Sequence, residues 1–126
     1  MRMTRLFPNA LRTYGAVQLF LGAWMVAAPG SFFTQVGPFG TRNDHYLRDV
    51  ASWSLALGAL AFLAASRPAW RLPVLALAAL QSALHAVNHL IDVGQADPSW
   101  IGVADAVSLG LLTVLLVVLV RREVPA

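Results

Sequence analysis

The chain contains no cysteine and no lysine, and only 12% of its 126 residues are charged. Each shortage excludes something. Without Cys there is no disulfide, no thiolate metal site and no thiol nucleophile. A charged fraction of 12% is about half of the ~25% usual in soluble domains. A soluble globule this small still needs polar residues to cover its surface, so one soluble core does not account for a chain that is 58% hydrophobic. All nine basic residues are Arg, which together with the wealth of Ala, Leu and Val is the codon signature of a GC-rich bacterial genome. A formal charge of +3 hints at nucleic acid, but the arginines are scattered at the ends of apolar runs rather than clustered on one face. A nucleic-acid partner is therefore not expected.

Four apolar stretches are present, and each approaches the ~20 residues that cross a ~30 Å hydrocarbon layer. They cover about residues 10–28, 44–65, 72–93 and 100–120. Apolar side chains surround each one instead of forming a single stripe, as expected where the outside is lipid. The first stretch, with Arg2, Arg5 and Arg12 before it, has some features of a signal peptide. Val26-Ala27-Ala28 even resembles a cleavage site, but Pro29 opposes cleavage and the run is long for a signal. It is read as the first membrane helix.

Orientation follows from the arginines. Arg2, Arg5, Arg12, Arg67, Arg71, Arg121 and Arg122 fall on one side, with only Arg42 and Arg48 on the other. The richer side is expected to be cytoplasmic, with both termini inside a bacterial cytoplasmic (inner) membrane. Asp44, Asp49, Asp92, Asp97 and Asp105 lie toward the opposite side, and Trp24, Trp53, Trp70 and Trp100 sit mostly near span ends, where amphipathic rings settle. Short links make successive helices antiparallel neighbours. The expected fold is all-α, an integral-membrane up-down four-helix bundle forming a single domain. Small residues, Gly15, Gly22, Ala56, Gly58 and Gly110, are expected at its helix contacts. The long connection 29–43, carrying Phe32, Phe33 and Gly37-Pro38-Phe39-Gly40, is expected to cover the outer mouth or lie in the interface.

Ionisable groups inside a span cost about 2.5–3.5 kcal/mol each at a helix centre, so those present call for a reason. His85, His89 and Asp92 are spaced i, i+4, i+7 and share one helix face. His45, Asp49 and Ser52 repeat that spacing on the second helix, and the fourth helix carries Asp105 and Ser108. Asp49, His89, Asp92 and Asp105 all fall within about 8 Å of their outer helix ends at ~1.5 Å per residue. Two readings follow. In the first, His85, His89, Asp92, Asp105 and Asp49 form a metal site: two imidazoles one turn apart match helical His-x-x-x-His zinc geometry. The mixed nitrogen and oxygen donors suit Zn, Fe or Mn. Haem is disfavoured, because two histidines on one helix face cannot be both axial ligands of one iron. In the second, the same groups are a hydrogen-bonded network that only fixes helix packing. There His85 or His89 donates to Asp105 or Asp92, Arg48 pairs with Asp44 or Asp49, and Asn88 bridges two helices. Tyr14 and Gln18 suggest a packing hydrogen bond. Gln81 and Ser82 extend the polar face of the third helix inward. The shared Asp-x-x-Ser of helices two and four is a weak sign of repeated hairpins.

The runs Asn43-Asp44-His45-Tyr46-Leu47-Arg48-Asp49 and His85-Ala86-Val87-Asn88-His89-Leu90-Ile91-Asp92, with the four-span layout, resemble small actinobacterial membrane proteins. Those are loosely similar to the DoxX-like group of four-helix membrane proteins. The resemblance implies a redox or quinone-linked context and assigns no catalytic residue. The leading functional expectation is a membrane metalloprotein or redox-associated subunit. The alternative is a structural or accessory subunit. A transporter is disfavoured, since no helix is broken at mid-membrane by Gly or Pro. The expected partners are the lipid bilayer and either a second copy of the chain or a larger membrane complex.

Overall fold

The computed structural model describes residues 6–123. Arg2 and Arg5, which contribute to the charge asymmetry, lie outside the described residues. Five helices follow one another: α1 Leu6–Ala27, α2 Pro29–Gln35, α3 Asp44–Ser66, α4 Pro68–Ile91 and α5 Ser99–Glu123. Among the described residues there is no strand, only an isolated antiparallel bridge between Phe39 and Ala96. The protein is all-helical. Helices α3, α4 and α5 are each long and apolar enough to cross a membrane, and α1 with α2 passes the same test as a pair bent by 118°. Three to four spans are therefore available.

The helix boundaries follow local chemistry. Helix α3 begins after Asn43, whose side-chain oxygen accepts from the backbone N–H of His45 (3.0 Å) and Tyr46 (3.3 Å), satisfying two donors that the first turn leaves free. Helix α4 starts at Pro68, four residues before the apolar run suggests. Pro at the first helical position has its φ already set and needs no N–H partner there. Pro73 lies inside α4 and forgoes the bond to the Ala69 carbonyl, whose residue is exposed. Helix α2 is the element not anticipated. Pro29 starts it, and it folds back on the last turns of α1: the Trp24 indole donates to Ser31 Oγ (3.3 Å) and meets Phe32 edge-on, with ring centroids 5.7 Å apart.

Packing is closest between α1 and α3, where glycines let the backbones meet. A Cβ on Gly15 would lie 2.9 Å from the Gly58 carbonyl oxygen, and one on Gly58 would lie 2.9 Å from that of Gly15. One turn pair further along, Gly22 rests on Leu55 and the Ala51 carbonyl. Gly15, Gly22 and Gly58 thus serve as anticipated. Gly110 has nothing within 4 Å of a built Cβ and Ala56 is exposed, so neither makes a close contact. At the end where α1 starts, Leu11 and Tyr14 join Leu57, Ala61 and Ala64 of α3, Leu75 and Ala78 of α4, and Leu116 and Leu119 of α5 in one buried cluster. Toward the other end, Met25, Phe32 and Ala51 form a second cluster shared by α1, α2 and α3. Helices α4 and α5 pair beside it. Exposed Val103, Val107, Leu111 and Val114 give α5 an outer surface suited to lipid acyl chains.

Candidate functional site

Helix α4 carries a polar stripe toward its C-terminal end. His85 and His89, one turn apart, turn their rings together: the two Nε2 atoms are 3.1 Å apart, with ring centroids at 4.8 Å. The other nitrogen of His89, Nδ1, is buried and faces α5, where Asp105 Oδ2 lies 3.8 Å away. That gap exceeds the 2.7–3.2 Å of an N–H···O bond by about 0.6–1.1 Å, so the carboxylate lies beside the ring without hydrogen-bonding to it. Both side chains are mostly hidden, 16% and 22% exposed. Asp105 is the seventh residue of α5, about 9 Å from its start at ~1.5 Å per residue. The three groups form a line from Asp105 through His89 to His85.

A loop covers this line at the end where α4 finishes. The Phe39 ring stands edge-on to His89, with centroids 4.9 Å apart at 87°. Phe39 is held there by its bridge to Ala96 and by the Asp97 N–H donating to the Pro38 carbonyl at 3.2 Å. The connection from α2 to α3 therefore crosses the one from α4 to α5. Gly102 helps to seat this end: a side chain there would run into the Val93 carbonyl.

The other anticipated ligands sit elsewhere. Asp92 is the residue after α4 ends, and its Oδ1 accepts from Gln95 Nε2 at 2.7 Å. Asp49 pairs with His45 along α3 (Nε2 to Oδ2 3.5 Å), both largely exposed. Among the described residues, no three His, Asp or Glu side chains converge as a metal-holding group. Of the alternative pairings, Asp44 is taken by Arg42 (2.6 and 2.9 Å), and Asn88 is exposed. Gln18 donates to the Tyr14 hydroxyl at 3.0 Å. The two Asp-x-x-Ser pairs bond alike, Ser52 to the Asp49 carbonyl and Ser108 to that of Asp105. Ser66 does the same to Leu63, so this is ordinary helical serine behaviour.

Three features were not legible beforehand. Ser82, three residues before His85, is 1% exposed and its hydroxyl has no hydrogen-bond partner. Arg42 folds onto Gly30, where a Cβ would meet its guanidinium at 2.6 Å and a larger residue would have to displace that exposed side chain. The contact of Phe39 with His89 is the third. A Gly-Pro-Phe-Gly loop near two histidine-bearing helices was its only trace in the sequence. Comparison with protein-family models, with curated proteins and with solved structures returned no match to this chain.

Proposed function

We propose that the protein is a small bacterial inner-membrane subunit, four spans in an up-down bundle with both termini cytoplasmic, that holds a divalent metal between His85 and His89 near the outer face. The observation that carries this reading is the 3.1 Å separation of the two Nε2 atoms. Two ligands on one tetrahedral ion, each at a ~2.05 Å zinc–nitrogen bond, stand about 3.3 Å apart. The pair is nearly set for that. It is too close for the two opposed axial ligands of a haem iron, which would stand about 4 Å apart at ~2.0 Å bonds.

In this reading Asp105 is not a ligand. His89 turns Nδ1 to it, which favours the tautomer with the proton on Nδ1 and leaves Nε2 free to bind. This is the usual support that a carboxylate gives a metal-bound imidazole. With two protein ligands, the remaining positions fall to water or to a molecule from outside the chain. Open positions are what metal sites that do chemistry retain, and imidazole donors suit Zn or Fe(II). A kinship with DoxX-like proteins would imply a redox setting for such a site.

A second reading has its own observation. The His89–Asp105 pair joins α4 to α5, and a neutral His85–His89 hydrogen bond also explains 3.1 Å. The line would then only hold two helices together, as in an accessory subunit. Metal content separates the two. The purified full chain, loaded with Zn(II) or Fe(II) and washed, is expected to retain about one ion, lost in both His85→Ala and His89→Ala. Asp105→Asn is expected to keep the ion but bind it about 10–100-fold more weakly, as for other lost supporting carboxylates. Metal retained equally by all three variants would sink the site and leave the packing role.

A further inference from the structure

Helix α3 has three sides, and over its first half two of them have no partner within the chain: one carries exposed Tyr46, Val50 and Trp53 and is apolar and aromatic, the other is polar. Successive residues turn by about 100°, so Ala51, Leu55, Gly58 and Phe62 line one side. These contact Gly15 and Gly22 of α1. Leu57, Ala61 and Ala64 line the side buried against the shared core. His45, Asp49, Ser52 and Ala56, spaced i, i+4, i+7, i+11, line the third, and all four are exposed. This side does not have the character of a lipid face. His45 and Asp49 are 73% and 63% exposed, with Arg48 exposed beside them. Ser52 and Ala56 are small and, with Trp53, line a shallow groove. The outer surface of α5, by contrast, is a run of Val and Leu.

Small residues four apart let two membrane helices approach closely, and polar side chains beside them then bond across the contact. We propose that this side of α3 is the interface of a homodimer, the second copy related by a two-fold axis along the membrane normal. Charge complementarity selects a second copy as the occupant. An acid at Asp49 stands one turn from a base at His45 and next to Arg48, so the surface complements itself under a two-fold axis. The Asp49 carboxylate of each copy then accepts from the imidazole or guanidinium of the other. Ser52 and Ala56 form the crossing point, and the Trp53 rings flank it.

The chain has no cysteine, which makes single-cysteine cross-linking clean. Ser52→Cys, Ala56→Cys and Leu111→Cys full-length chains are reconstituted in phosphatidylethanolamine–phosphatidylglycerol vesicles and oxidised with copper phenanthroline. Disulfide dimers are expected at Ser52→Cys and Ala56→Cys, with only collisional cross-linking at Leu111→Cys. Photobleaching of labelled single molecules is expected to show two steps for the native chain and one for Ala56→Trp. Asp49→Ala is expected to weaken the dimer about ten-fold, equivalent to ~1.4 kcal/mol and in keeping with one interhelical hydrogen bond. Equal cross-linking at all three positions, or single-step bleaching of the native chain, would overturn the proposal. So would a native-membrane cross-link of Ser52→Cys to a protein of different mass. Ala56→Trp leaves His85 and His89 untouched, so its metal content reports on their site independently of the dimer.

Discussion

Adding one methyl group to this protein should have opposite consequences at two glycines, and the structure says which is which. At Gly58 a new Cβ meets Leu19 Cγ at 2.7 Å, the Gly15 carbonyl oxygen at 2.9 Å and Leu19 Cδ2 at 3.0 Å. Leu19 can change rotamer, but the Gly15 oxygen belongs to a helix backbone and cannot. Ordinary contact requires α1 and α3 to part by about half an ångström along a seam where Gly22 is also tight. Overpacking of this kind costs about 1–3 kcal/mol. Replacing a helical glycine by alanine returns about 0.5–1 kcal/mol through lost unfolded-state freedom. Gly58→Ala should therefore destabilise by about 1.25 kcal/mol, taking the middle of each range. At Gly110 nothing lies within 4 Å of the added atom, so only the favourable effect remains and Gly110→Ala should stabilise by about 0.5–1 kcal/mol. Reversible unfolding in mixed micelles of increasing SDS fraction, followed by far-UV circular dichroism, measures both. A Gly58→Ala chain as stable as the native one would refute the close α1–α3 seam on which the fold is argued, and a Gly110→Ala chain that loses stability would refute the open space at Gly110.

Other perturbations follow from single contacts. Asn43→Ala removes the side-chain oxygen that accepts from His45 and Tyr46; the same titration should show a loss of about 1 kcal/mol, and Asn43→Asp should recover most of it. Phe39→Ala uncovers His89 and removes an aromatic contact worth about 0.5–1.5 kcal/mol; diethyl pyrocarbonate should then modify His89 faster, as read by mass spectrometry. Unchanged reactivity would show that the loop does not shield it. With no native Cys, Gly94→Cys in intact cells should react with an impermeant maleimide and Ser66→Cys should not; the reverse pattern would invert the proposed orientation.

How much was legible beforehand depended on which physical signal each feature leaves in a sequence. Helix α3 was placed to within a residue because its ends are marked, by Asn43 as cap and by Arg67-Pro68 after it. The start of α4 was read four residues late because apolar runs were counted, whereas Pro68 at the first helical position was the better marker. Helix α2 spans seven residues, too short for any periodicity to declare itself. In the site, the pairing of His85 with His89 follows from spacing alone, and the approach of Asp105 follows from depth once α4 and α5 are neighbours. What spacing does not supply is rotation. A soluble helix shows its buried side as an apolar stripe, but α3 is apolar nearly all round, so nothing in its pattern says that Asp49 faces away from α1 and the shared core. The glycines set that rotation, because Gly58 must meet Gly15.

The same reasoning explains why the line from Asp105 to His85 is shaped as it is. Helices α1 and α3 meet through backbone at Gly15 and Gly58, so no side chain fits between them there. Helices α4 and α5 lack that device: Gly110, midway along α5, touches nothing, and Gly102 near its start seats the Val93 carbonyl instead. There the polar side chains of His89 from one and Asp105 from the other face each other. A purely structural link would gain most from a closed hydrogen bond, since a buried donor or acceptor left unpaired costs about 1–3 kcal/mol. Instead His89 Nδ1 is buried and 3.8 Å from its carboxylate, while its Nε2 is 3.1 Å from a second imidazole. Binding an ion at the two Nε2 atoms would put positive charge on His89 and draw Asp105 the remaining ~0.8 Å to hydrogen-bond distance. Asp105→Asn should weaken the ion without releasing it, which a link serving packing alone does not predict.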